Sequence, residues 1–142
     1  MRFLDANIFI YAYYKPKRQL GSVETRLKEK AKQIIRNISE GKESVMMTVV
    51  HLSEIVNILK HGLPYSTLVE VIRGLFMLDN LKILGVSEEV YFAAVELGED
   101  LSMEPNDELA VDVMRQNNIT EIYTFDKVFS KLDDIIKLPK NE

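Results

Sequence analysis

The stretch Met1-Arg2-Phe3-Leu4-Asp5-Ala6-Asn7-Ile8-Phe9-Ile10-Tyr11 decides how the rest of the chain is read. Met1, Phe3 and Leu4 have the apolar density of a short buried strand, and Ile8 to Tyr14 reads as a helix that Lys15-Pro16 ends. Asp5 interrupts this otherwise apolar run. A buried carboxylate without a partner costs several kcal/mol, so two roles are open to it. As a cap, Asp5 accepts backbone N–H groups of a helix starting near Asn7. As a ligand, it stands at the C-terminal end of the first strand, where open α/β sheets gather their chemistry.

Outward from this stretch the pattern recurs. Ser22 is positioned to cap a helix running to about Glu40, with Leu27, Ala31, Ile34, Ile35 and Ile38 on one face and Gly41 as the stop. Ser44 to Thr48 reads as a second buried strand, and Thr48 opens a helix from Val49 to about His61 that carries Glu54 in an early turn. Pro64 to Asn80 has an apolar stripe of Leu68, Val71, Ile72, Leu75 and Phe76 at helical spacing, either core or a partner interface. Leu81 to Val86 is a third strand, and Ser87 caps a helix ending near Leu101. Ser102 to Asn106 breaks the chain. Asp107 then begins a helix as its cap or a first-turn residue, ending at Asn117-Asn118. Glu121 to Phe125 is a fourth strand closed by Asp126, Lys127 to Ser130 a turn, and Ile135 to Leu138 an edge strand.

Strands that alternate with helices, joined by crossover-length connections, define a parallel sheet covered on both faces. The expected fold is a three-layer α/β/α sandwich around a central, mostly parallel sheet of four to five strands, with residues 1–142 as a single domain. The 142 residues suffice to bury a core, and 46% apolar with 28% charged is ordinary for a globular chain. No apolar run reaches the ~18 residues of a membrane span. Asp5 sits where a signal peptide's apolar region would begin, which argues for a cytoplasmic protein. The absence of cysteine excludes disulfides, thiolate metal sites and a cysteine nucleophile.

Four acids share a location. Asp5 and Asp126 end strands, while Glu54 and Asp107 lie in early turns of the helices that follow strands or breaks. The strand C-termini of a parallel sheet lie along one edge, so these carboxylates can converge there. At ~4 Å and an effective dielectric of ~20, each pair repels by about 4 kcal/mol, a cost that a hard divalent cation removes. Oxygen-only donors point to Mg²⁺ or Mn²⁺ rather than Zn²⁺. Asp112 competes with Asp107, but the two stand about 140° apart around the helix and cannot both face one site. His51 and His61 lack a zinc spacing and read as surface or core-edge residues. No phosphate-binding glycine loop, dinucleotide fingerprint or serine elbow is present. Tyr11, Tyr13 and Tyr14 read as packing residues rather than base-stacking platforms.

Charge is unevenly spread over a net −4. Lys15 to Arg36 holds eight basic residues against Glu24 and Glu29, a local +6 that leaves −10 on the remainder. This segment is either a solvated helix face or a phosphate-facing patch beside an acidic centre.

With these residues in view, the sequence resembles the PIN-domain ribonucleases, and within them the VapC-type toxins of toxin–antitoxin pairs. Four segments carry the resemblance in the family's order: Phe3-Leu4-Asp5-Ala6-Asn7, Val50-His51-Leu52-Ser53-Glu54-Ile55, Pro105-Asn106-Asp107-Glu108-Leu109-Ala110, and Tyr123-Thr124-Phe125-Asp126-Lys127-Val128-Phe129. The last resembles the closing Thr-x-Asp-x-x-Phe motif and is the most specific. The resemblance implies a Mg²⁺- or Mn²⁺-dependent endoribonuclease acting on single-stranded RNA, with Asp5, Glu54, Asp107 and Asp126 holding the ions. Asn7 and Thr124 become candidates for positioning or phosphate contact, against simple turn and strand roles. A homodimer and a small antitoxin partner are implied by the resemblance alone. A non-toxin PIN nuclease of RNA processing, or a nuclease-dead binding module, are the alternatives.

Overall fold

The computed structural model describes residues 1–14 and 17–140, so the expected Lys15-Pro16 helix stop lies outside the described residues, as does Lys15 of the basic segment. Five strands, β1 (Arg2–Leu4), β2 (Val45–Thr48), β3 (Leu81–Leu84), β4 (Glu121–Tyr123) and β5 (Ile136–Leu138), form one sheet in the order β3-β2-β1-β4-β5. Every pairing is parallel. Six helices flank it: α1 (Ala6–Tyr13), α2 (Ser22–Ser39), α3 (Val49–Leu59), α4 (Tyr65–Phe76), α5 (Glu88–Leu101) and α6 (Pro105–Gln116).

Alternation along the strands builds the two faces. In β1, Leu4 enters a core with Ile8 and Phe9 of α1, Ile34 and Ile38 of α2, Ile55 of α3 and Leu75 of α4. Its neighbour Phe3 enters the opposite core, with Ala94 of α5, Leu109, Val113 and Met114 of α6, and Phe129. Met47 and Met46 divide in the same way. The expected α/β/α sandwich is therefore the fold, with five strands.

The caps follow local chemistry. Thr48 Oγ1 accepts the N–H groups of Val50 and His51, and Ser87 Oγ accepts that of Val90. Ser22 is not a cap: α2 begins at Ser22 itself, with Gly21 before it. The first helix starts at Ala6, earlier than its apolar run suggested, because Asp5 caps it. The helix expected from Asp107 starts at Pro105, whose fixed φ suits a first helical position. β4 stops at Tyr123 rather than Phe125, and the expected turn after Asp126 is a 3-10 helix, Lys127–Lys131.

The chain runs outward from β1 through β2 to β3, then returns beside β1 as β4. β1 and β4 thus define the topological switch point, and the crevice outside their C-terminal ends is where such sheets bind ligands. Asp5 follows β1 directly, and Asp126 lies three residues beyond β4.

Candidate functional site

The crevice is a cleft of about 510 Å³ whose lining includes Asp5, Glu54, Asp107 and Asp126, with Asn7, Glu104 and Asn106 between them. The cap reading of Asp5 holds in its geometry, and its carboxylate also lines the cleft. Its Oδ1 accepts the Ala6 N–H at 2.8 Å, while Oδ2 accepts the Thr124 hydroxyl at 2.7 Å. The Thr124 oxygen in turn accepts Asn7 Nδ2 at 3.2 Å and the Asp126 N–H at 3.0 Å. Asn7 Oδ1 accepts the Phe125 N–H at 3.2 Å. Thr124 and Asn7 therefore clasp the end of β4 to the start of α1, and set Asp5 relative to Asp126. Asp126 itself caps the 3-10 helix, its Oδ1 accepting the Val128 N–H at 3.0 Å.

The opposite wall is set by Asn106. Its Nδ2 donates to Glu54 Oε1 at 2.6 Å, and its Oδ1 accepts the Tyr91 hydroxyl at 2.8 Å. Its carbonyl oxygen meets His51 Nε2 at 3.0 Å. His51 is a core residue, 1% exposed, rather than a surface one. Burial pushes its pKa down to about 4, so the ring is neutral at pH 7. A neutral ring that donates from Nε2 to the carbonyl accepts the Thr48 hydroxyl at Nδ1, 2.7 Å away. This chain joins the cap of α3 to the first turn of α6, and so fixes Glu54 beside Asp107. His61 is exposed.

The electrostatics are those of crowded like charges. Burial raises the Asp107 pKa to about 7, with further contributions from Asp5, Asp126, Glu54 and Glu104. Burial raises that of Asp5 to about 6, aided by Glu54 and Asp126 and opposed by the Thr124 hydrogen bond. Glu54 is also raised, first by burial and then by Glu104, against the Asn106 hydrogen bond. Among the described residues, no Lys or Arg lines the cleft to compensate.

Asp112 does not join this group. Five residues beyond Asp107, it lies about 7.5 Å further along the helix and on another face, where it accepts Gln116 Nε2 at 3.1 Å. Glu108 turns into the core, 2% exposed, and its Oε2 has no hydrogen-bond partner among the described residues. Glu104, Asn106 and Tyr91 escaped sequence reasoning. Glu104 was the residue before a proline at a helix start, and Asn106 the neighbour of an acid already singled out.

Among the described residues, no group of three or more His, Cys, Asp or Glu closes into a metal cage. The side chains lining the cleft offer oxygen donors: the carboxylates of Asp5, Glu54, Glu104, Asp107 and Asp126, with the carboxamides of Asn7 and Asn106. That set fits Mg²⁺ or Mn²⁺, since Mg²⁺ keeps several waters and uses only one or two carboxylates directly.

A parallel α/β sandwich with crowded carboxylates at its switch point defines the class of fold and site. The chain belongs to the PIN domain family, whose model matches residues 2–135. Its fold is similar to that of Mycobacterium tuberculosis VapC20, a sarcin-ricin loop cleaving toxin, at 18% identity and TM-score 0.69 over 92% of this chain and 94% of that one. A toxin–antitoxin complex from Klebsiella pneumoniae aligns at 14% identity and TM-score 0.64, over 96% of each chain. VapBC2 from Rickettsia felis, bound to a DNA fragment from its promoter, aligns at 16% and 0.62, again over 96% of each. At these identities the likeness is one of fold. No curated protein matches the chain, and among the described residues no helix is long and apolar enough to cross a membrane.

Proposed function

We propose that this chain is a divalent-cation-dependent endoribonuclease that cleaves single-stranded RNA, and that it is the toxin of a VapBC-type toxin–antitoxin pair. The observation that carries the reading is the lining of one cleft by Asp5, Glu54, Asp107 and Asp126, without a balancing cation among the described residues. These four would hold Mg²⁺ or Mn²⁺. When bound, the ion supplies charge neutralisation at a phosphate and acidifies water.

The chain's own residues do the rest. Thr124 holds Asp5 Oδ2 in place, and Asn106 holds Glu54 Oε1, so neither carboxylate swings when a strand enters. Such fixing matters because misplacing a reacting group by about 1 Å can cost about a hundredfold in rate. The antitoxin partner is supported by the toxin–antitoxin complexes among the structural neighbours. A homodimer is proposed on the family resemblance alone.

The test is cleavage of a labelled single-stranded RNA with Mg²⁺, Mn²⁺ or EDTA, after removal of any co-purified inhibitor. Wild type should cut only with a cation, and Asp5→Asn or Asp126→Asn should lower the rate at least about a hundredfold. An inert wild type, or mutants that cut equally well, would return the chain to the binding-module reading.

A further inference from the structure

Next to the acidic cleft lies a second hollow, of about 310 Å³, lined by Arg26 and Lys30 of α2, Lys127 of the 3-10 helix, Lys137 of β5 and Lys140 beyond it. Phe125 lies among them, and among the described residues no acidic side chain lines it. The cations come from three separate parts of the sequence, so the fold gathers them; they are not one charge run. Phe125 and Lys127, which line this hollow, are the chain neighbours of Asp126, which lines the acidic cleft.

Among the described residues, no ion pair accounts for gathering Arg26, Lys127, Lys137 and Lys140 here. Elsewhere in the basic segment the cations have structural uses. Arg18 pairs with Glu24, Lys32 with Glu29, and Lys28 Nζ donates to the carbonyls of Tyr11, Ala12 and Tyr14. Lys137 is half-buried, and burial together with Lys127 and Lys30 presses its pKa below the usual lysine value, against the pull of Asp126. Like charges held this close are favourable when an anion lies between them.

We propose that this basic hollow binds the backbone phosphates of a single-stranded RNA whose chain continues past Asp126 into the acidic cleft. The choice of RNA rests on the nuclease reading above. An acidic peptide filling the hollow would run on into the carboxylates with nothing to separate the like charges. A polynucleotide meets those carboxylates through the divalent cation that reading already contains. Phe125 adds an apolar surface between the cations, of the kind that accompanies phosphate contacts in single-strand grooves.

The experiment is fluorescence anisotropy of a labelled oligoribonucleotide of about five nucleotides, short enough to fill the hollow without entering the acidic cleft, in EDTA across a salt series. Wild type is compared with Arg26→Gln/Lys137→Gln/Lys140→Gln and with a control of equal charge loss, Lys42→Gln/Lys60→Gln/Arg73→Gln. Thermal unfolding first establishes that each variant is folded. The hollow variant should bind about tenfold more weakly and lower the salt slope by about 2, at roughly 0.7 per phosphate lost, while the control stays within about twofold. Equal losses in both variants, or a hollow variant that binds like wild type, would overturn the proposal. So would an oligoglutamate peptide that binds wild type more tightly than the RNA and is lost in the hollow variant alone. EDTA separates this result from cleavage. Hollow-dependent binding by a protein that never cuts RNA would leave the proposal standing and remove the nuclease reading. Cleavage with hollow-independent binding would do the reverse.

Discussion

The Thr124 hydroxyl has one proton to give, and it goes to Asp5 Oδ2, while the oxygen receives Asn7 Nδ2 and the Asp126 N–H. One buried atom thus sets the relation between two carboxylates 121 positions apart in sequence. Thr124→Val keeps the shape and removes all three bonds. Leaving buried groups unpaired should cost about 1–3 kcal/mol of stability. Asp5 also loses the bond that opposes its desolvation, so its pKa should climb further and Mg²⁺ affinity should fall about tenfold. Thr124→Ser retains the hydroxyl and should stay within about twofold of wild type by calorimetric titration of Mg²⁺. Equal behaviour of the two variants would mean that Thr124 is only a strand-end residue.

At the level of elements, the α5–α6 junction carries Asp107 to the cleft. Gly98 lies on α5, and a Cβ there would stand 2.6 Å from the Met103 carbonyl oxygen, a backbone atom that cannot easily give way. The close approach permits the Met103 N–H bond to the Gly98 carbonyl at 2.9 Å, with Ser102 in the left-handed region at φ 54°. Glu104 follows at once, and Asp107 lies in the next turn. Gly98→Ala should therefore cost about 1–3 kcal/mol in urea unfolding and weaken Mg²⁺ binding with it. Gly74→Ala, on α4 with open space around its Cβ, should instead stabilise by about 0.5–1 kcal/mol. A neutral Gly98→Ala would show that the junction has slack. The same contrast explains what was legible in sequence. The caps at Thr48 and Ser87, and the acids after β1 and β4, depend on neighbours within a few positions, so local pattern exposes them. The Asn106 bonds to Glu54, Tyr91 and His51 span 52, 15 and 55 positions. No local pattern encodes such contacts, which is why His51 looked peripheral and Asn106 looked like part of a break.

For the molecule as a whole, the acidic cleft opposes folding until something neutralises it. Asp107 is raised from 3.8 to about 7 and Asp5 from 3.8 to about 6, so the folded state binds these protons more tightly than the unfolded chain does. Their contribution to stability is complete below the unfolded value and is lost as pH rises through about 6 and then about 7. His51 acts in the opposite sense. Its pKa falls from 6.5 to about 4 on folding, so acid removes stability between those values. Between about pH 8 and 6.5 the carboxylates act almost alone, and the metal-free protein should unfold at a higher temperature as pH is lowered through that range. Below it, His51 should offset part of the gain and flatten the curve. Mg²⁺ competes with protons for the same oxygens and stabilises the folded state in proportion to the logarithm of its concentration over Kd. Its effect on the unfolding temperature should therefore be largest near about pH 8 and shrink towards about pH 5.5, where protons already occupy the cleft. Thermal unfolding across this range, in EDTA and in excess MgCl₂, measures both slopes. A metal-free curve that falls as pH drops from about 8 to 6.5 would contradict the crowded-carboxylate account, and a Mg²⁺ shift independent of pH would mean that the ion binds elsewhere.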